Sequence, residues 1–121
     1  MHRNPYIPAL AWALVILVLT LTPGNYIPQP PWDIFQFDKL VHCFIFFIQA
    51  LLALRGAYIK EHLKNTRIYL SIFIICTLFG ICIELVQHFV PGRSMSPADA
   101  IANTTGTLLG LWLGRYIRFR F

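Results

Sequence analysis

Three short runs of ionisable and amide side chains interrupt an otherwise apolar sequence: Asp38, Lys39 and His42; Glu84, Gln87 and His88; Asp99 and Asn103. Spacings of three and four recur within them, which puts the members of each run on one face of a helix. A histidine and a carboxylate in an apolar setting can have their proton affinities set against each other, as general acid–base catalysis requires, and Glu84 and His42 are the catalytic candidates. The same mixture of charges and amides is suited to holding a polar ligand through hydrogen bonds. His42, Glu84, His88 and Asp99 also offer nitrogen and oxygen donors to a cation. No tight spacing such as H-E-x-x-H joins them, so neither a metal nor a cofactor is expected. No G-x-S-x-G nucleophile motif is present.

Most of these residues have a plainer explanation one at a time. Asp38 can cap a helix, and Asp99 completes an S-x-x-D capping box with Ser96 ahead of Pro97. Lys39 and Arg93 can be interfacial anchors, and His42 a satisfied interior histidine. Glu84 resists such readings, because it lies more than a turn inside an apolar helix. A carboxylate there costs about 2.5–3.5 kcal/mol at a bilayer centre and less near its surface, so it needs a partner, with His42, Arg93, Lys39 and Asn103 as candidates.

The elements that must position these side chains are helices. Of the 121 residues, 57% are hydrophobic and 12% charged, far from the balance of a soluble domain. Several apolar runs approach the roughly 20 residues that cross a bilayer, so the fold class is all-α, a single polytopic membrane domain of four transmembrane helices in a compact bundle. The expected spans are about 5–22, 38–56, 67–90 and 97–117. Asn4 and Pro5 start the first, and Asp38 opens the second. Pro91 ends the third, and Pro97 begins the fourth. The first span follows a short basic start but lacks an A-x-A-like cleavage site, so it is expected to be retained. Pro23, Pro28, Pro30 and Pro31 exclude a helix from the first half of the connector, and Trp32, Phe35 and Phe37 suit a membrane interface. Gly106, Gly110 and Gly114 form a G-x-x-x-G-x-x-x-G ridge against which another helix, or another copy of the chain in a homo-oligomer, can pack closely. Cys43, Cys76 and Cys82 lie in apolar runs without metal-ligand spacing and read as small buried hydrophobes.

A net charge of +5 raises nucleic acid as a partner. The basic residues flank apolar helices instead of forming a basic face, so they set membrane orientation and nucleic acid is not expected. Arg3, the segment 55–67 and the tail hold eight of the ten Lys and Arg, against Lys39 and Arg93 on the other side. Both termini are then cytoplasmic, and all three polar runs gather at the extracytoplasmic end.

Taken jointly, D-K-x-x-H at 38–42, E-x-x-Q at 84–87, P-x-R at 91–93, D-x-x-x-N at 99–103 and G-x-x-x-G at 106–110 resemble the VanZ-like family of small bacterial membrane proteins. The resemblance covers nearly the whole chain, most firmly 38–110. It implies a multi-pass protein of the bacterial inner membrane and a link to the cell envelope, since the family's namesake is associated with resistance to the glycopeptide antibiotic teicoplanin. The family's motif residues fall on Asp38, Lys39, His42, Glu84, Gln87, Arg93, Asp99 and Asn103. Two functions follow as expectations. One is recognition of a membrane lipid, a lipid-linked envelope precursor or a lipophilic glycopeptide at the outer leaflet. The other is an enzyme acting on a lipid headgroup or envelope precursor through Glu84 and His42. Ion conduction is disfavoured, since the cytoplasmic half offers little beyond Gln49 and Thr77.

Overall fold

The computed structural model describes residues 4–21, 34–62, 65–90 and 97–117, with the backbone alone for 34–38. The described residues form four helices and no strand: α1 (Ile7–Leu21), α2 (Ile34–Glu61), α3 (Thr66–Gln87) and α4 (Pro97–Gly114). Local sequence sets several of the ends. The Asn4 side chain accepts from the Tyr6 amide at 2.9 Å just before α1. Asn65 is the N-cap of α3, its side chain accepting from the Ile68 amide at 3.0 Å.

α2 departs from its expected bounds at both ends. It starts at Ile34, so Asp38 lies in its second turn and does not cap it. Apolar Phe35 and Phe37 let the helix begin as soon as the prolines stop. At the other end it passes through Gly56 to Glu61, so Arg55 and Lys60 are helical residues and not loop residues. The helix stops where His62 adopts φ 57°, in the left-handed region. Gly56 serves packing instead: a Cβ there would stand 2.7 Å from the Tyr6 ring. The prolines of the α1–α2 connector, with Trp32, and the Pro91 to Ser96 turn lie outside the described residues.

α2 and α4 share the most extensive interface. The glycine ridge explains it, and its partner is α2 of the same chain. A Cβ on Gly106 would collide with the Cys43 carbonyl oxygen, one on Gly110 would lie 2.6 Å from the Phe47 carbonyl oxygen, and one on Gly114 would meet Leu54. The backbones can approach this closely only because these side chains are absent. Two apolar clusters fill the interior. Ala50, Leu54, Ala57, Ile72, Cys76 and Leu111 form one, toward the α2–α3 connection. Ile16, Ile45, Phe46 and Ile83 form the other, under the polar cluster described below.

α1 is fastened to this core by polar side chains. Trp12 Nε1 donates to the Ile45 carbonyl at 2.8 Å, and Gln49 Nε2 donates to the Ala9 carbonyl at 3.1 Å. Gln87 Nε2 donates to the Thr20 carbonyl at 2.6 Å. Thr20 lies in the last turn of α1, where carbonyls lack helical partners, so Gln87 satisfies one of them.

The outward faces remain apolar: Leu10, Leu14 and Val18 on α1, Ile75 and Leu78 on α3, and Leu108 and Trp112 on α4 are all exposed. So much contiguous apolar surface is not that of a water-soluble monomer. Two stretches, Lys39–Glu61 and Thr66–Gln87, are long and apolar enough to cross a membrane. The described part of α1 has 15 residues, about 22 Å of helix, short of the roughly 30 Å hydrocarbon core. The cysteines divide by helix phase: Cys76 is buried, Cys43 is half-buried, and Cys82 is exposed. The expectation that all three are buried is corrected for Cys82, which lies off the inward stripe of Cys76, Gly80, Ile83, Glu84 and Gln87.

Candidate functional site

α2, α3 and α4 each bring polar side chains to one level of the bundle. On α2 these are Lys39 and His42, one turn apart; on α3, Glu84; on α4, Asp99 and Asn103, also one turn apart. The side chains of four are almost wholly enclosed: His42 is 2% exposed, Glu84 4%, Asp99 5% and Asn103 1%. Lys39 is half-buried at the rim.

The contacts define two linked pairs. His42 Nδ1 lies 2.8 Å from Asn103 Oδ1. An amide oxygen can only accept, so this contact is a hydrogen bond when Nδ1 carries a proton. The same Nδ1 lies 3.8 Å from Glu84 Oε1. Lys39 Nζ lies 3.8 Å from Asp99 Oδ1. One donor atom from each of His42, Glu84 and Asp99 falls within 4.8 Å of the others, which joins the pairs into one cluster. Gly80 makes room for it: a Cβ there would stand 3.1 Å from Asn103 Nδ2.

Burial gives this arrangement its chemical character. A carboxylate removed from water is costly unless a cation or hydrogen-bond donor meets it, and removing one member of such a pair costs about 3–5 kcal/mol. Glu84 and His42 are therefore interdependent. Three donors of mixed type could also accept a cation, but the Lys39 ammonium already stands beside Asp99. Like charges compete for the same carboxylates.

Several residues selected from sequence stand elsewhere. Gln87 is 2% exposed, but its amide N–H is taken by the end of α1, so it belongs to the fastening of that helix. The i, i+3 pattern gave its face correctly and could not show which neighbour lies opposite. His88 is exposed, with its ring 5.2 Å from that of Phe89, and does not join the cluster. A helical stripe places 84 and 87 together and turns 88 outward on this slightly rotated face. Arg93 and Ser96, and the side chain of Asp38, lie outside the described residues. Trp12, Thr20 and Gln49 were the residues sequence reasoning undervalued. The available signal was that each is a polar group in an apolar run.

Comparison with known proteins adds one finding. The family model for VanZ/LLP1 matches residues 6–118, from the start of α1 to beyond α4. This chain belongs to the VanZ/LLP1 family. No curated protein and no solved structure matches it. VanZ/LLP1 membership, together with the two helices apolar enough to span a bilayer, makes this a membrane protein.

Proposed function

We propose that this VanZ/LLP1 protein is a four-span protein of the bacterial inner membrane with both termini cytoplasmic, whose polar cluster recognises a cell-envelope amphiphile at the outer leaflet. The ligand is a membrane lipid, a lipid-linked envelope precursor or a lipophilic glycopeptide of the teicoplanin type. One observation carries the reading: His42, Glu84, Asp99 and Asn103, from three helices, are each at least 95% buried at one level of the bundle. Capping and snorkelling do not explain a set of that kind. With Lys39 at the rim, the cluster offers an ammonium, carboxylates and an amide to a mixed-charge headgroup. The family's association with the cell envelope supports the ligand class.

A second reading makes the protein an enzyme on the same ligands. It is favoured by the 3.8 Å approach of His42 to Glu84, a pair able to shuttle a proton. The cluster holds no serine, threonine or cysteine, so a covalent step within it would fall to a carboxylate, His42 or Lys39.

Glu84→Gln tests both. The amide keeps the size and most of the hydrogen-bonding capacity of the carboxylate but neither titrates nor carries charge. Binding is measured on the purified full chain in nanodiscs with three probes: phosphatidylglycerol, undecaprenyl phosphate and teicoplanin. The recognition reading expects a folded Glu84→Gln protein that loses at least tenfold in affinity for one probe, about 1.4 kcal/mol. The enzyme reading expects retained binding with no turnover of the bound probe. Wild-type binding and wild-type phenotype in well-expressed Glu84→Gln reject both and leave Glu84 a structural residue.

A further inference from the structure

One imidazole and two carboxylates, His42, Glu84 and Asp99, come from three different helices and meet in the interior of the bundle. One donor atom of each lies within 4.8 Å of the others, and His42 Nδ1 and Glu84 Oε1 are 3.8 Å apart. The ligand atoms of a tetrahedral zinc, with bonds of about 2.0–2.2 Å, stand about 3.4 Å from one another. The widest gap therefore has at most about 1.4 Å to close, a matter of side-chain rotation. Two carboxylates this close repel each other, and a cation between them turns that repulsion into attraction.

Asn103 supplies an independent sign of an occupant. It is 1% exposed and its Oδ1 lies 2.8 Å from His42 Nδ1, while its Nδ2 has no hydrogen-bond partner among the described residues. That amide nitrogen faces α3 at Gly80, one turn before Glu84. A buried donor without an acceptor costs about 1–3 kcal/mol, so the cluster is short of an oxygen. A zinc ion with three protein ligands keeps a fourth position for a water or a ligand oxygen, which is a group of that kind. An outer hydrogen-bond partner on a ligating histidine, the place Asn103 takes beside His42, is also the ordinary arrangement.

We propose that His42, Glu84 and Asp99 bind a divalent transition-metal ion of the zinc type. An imidazole in a set of three ligands selects against magnesium and calcium, which take oxygen ligands in larger number. Lys39 competes with the ion for Asp99. Its ammonium approaches only to 3.8 Å, longer than the about 2.7–2.9 Å of a charge-assisted hydrogen bond, and it sits at the rim on a flexible four-carbon stem. Sequence spacing gave no reason to expect the site, because each ligand comes from a different helix and no short motif joins them. The metal shares its residues with the amphiphile recognition proposed above but does not rest on that reading.

The test uses the full chain in detergent, free of affinity tag, cleared of metal by a chelator and with no lipid probe added. Zinc binding is measured by competition with a chelating indicator, folding by thermal unfolding, and ligand geometry by the visible spectrum after cobalt(II) takes the place of zinc. Wild type is expected to bind one zinc per chain, to unfold at a higher temperature when zinc is present, and to keep the ion against a large excess of magnesium or calcium. Asn103→Leu should weaken binding about tenfold, and Glu84→Gln and Asp99→Asn about a hundredfold or more, since loss of an outer partner alone costs about 10–100-fold. Lys39→Gln should tighten it, because the competing ammonium is gone. His88→Ala should leave it unchanged, since His88 is exposed and apart from the cluster. Absence of zinc binding by folded wild type overturns the proposal whatever the variants do. Wild-type affinity in folded Glu84→Gln or Asp99→Asn, or binding that His88→Ala removes, assigns the zinc to the surface and overturns it as well. Amphiphile binding without zinc binding would sink the metal site and leave the recognition reading standing, and zinc binding without amphiphile binding would do the reverse.

Discussion

Asn103 is gripped from two sides, with its Oδ1 2.8 Å from His42 Nδ1 and its amide against the gap left by Gly80. Asn103→Leu removes the acceptor 2.8 Å from His42 Nδ1, and we predict a loss of about 1–3 kcal/mol in unfolding experiments in detergent. An unchanged unfolding temperature would mean that the histidine has another acceptor. Glu84→Gln is predicted to be nearly neutral in the same experiment, because the amide keeps the size and most of the hydrogen-bonding capacity of the carboxylate and no charge then has to be held out of water. Loss of stability as large as that of Asn103→Leu would show that the charge itself holds the helices together. At this scale the sequence was informative about type and poor about partners. It singled out Glu84 because no local rule excuses an interior carboxylate, and His42 and Asn103 were among the partners weighed for it. It left Asp99 between a cap and a site residue, and only its burial near Lys39 separates those roles. Gln87 was grouped with the cluster because spacing defines a face but not what lies across from it.

At the scale of the helices, the G-x-x-x-G ridge illustrates how backbone contact limits substitution. Replacing an interior helical glycine by alanine would gain about 1 kcal/mol from propensity alone. At Gly110 the new methyl would meet a backbone carbonyl, that of Phe47, at 2.6 Å. Neither helix can yield locally, so Gly110→Ala is predicted to be net destabilising, within the 1–3 kcal/mol range of overpacking. A rise in thermal stability would show that the α2 and α4 backbones are further apart than this contact requires. Gln87→Leu is predicted to loosen α1 specifically, since it removes the donor to the Thr20 carbonyl. Amide hydrogen exchange should then quicken in α1 and stay unchanged in α4. Helix existence was legible from apolar runs, and the start of α4 from Pro97, whereas Asn65 was not singled out as the cap of α3. The ends of α2 were not, because Asp38 and Gly56 look like boundary residues and are used within the helix. His62, which takes the left-handed turn, carries no comparable signal.

For the molecule as a whole, charge distribution and the polar cluster make one joint claim about direction in the membrane. Eight of ten Lys and Arg belong in the sequence to the N-terminus, segment 55–67 and the tail, and the four of them that the structure describes, Arg55, Lys60, Arg67 and Arg115, stand in the half of the bundle opposite the cluster. On the function proposed above, the positive-inside rule turns the cluster outward, toward envelope amphiphiles. Recognition at the outer leaflet depends on that direction more than on any single contact. Two single-cysteine proteins test it in a background with Cys43, Cys76 and Cys82 replaced: Phe89→Cys, at an exposed position beside the cluster, and His62→Cys, at the opposite end. Intact cells are treated with a membrane-impermeant maleimide, and labelling is compared before and after permeabilisation. The account predicts that Phe89→Cys labels in intact cells and His62→Cys only after permeabilisation. The reverse pattern would put the polar cluster at the cytoplasmic face and contradict recognition at the outer leaflet.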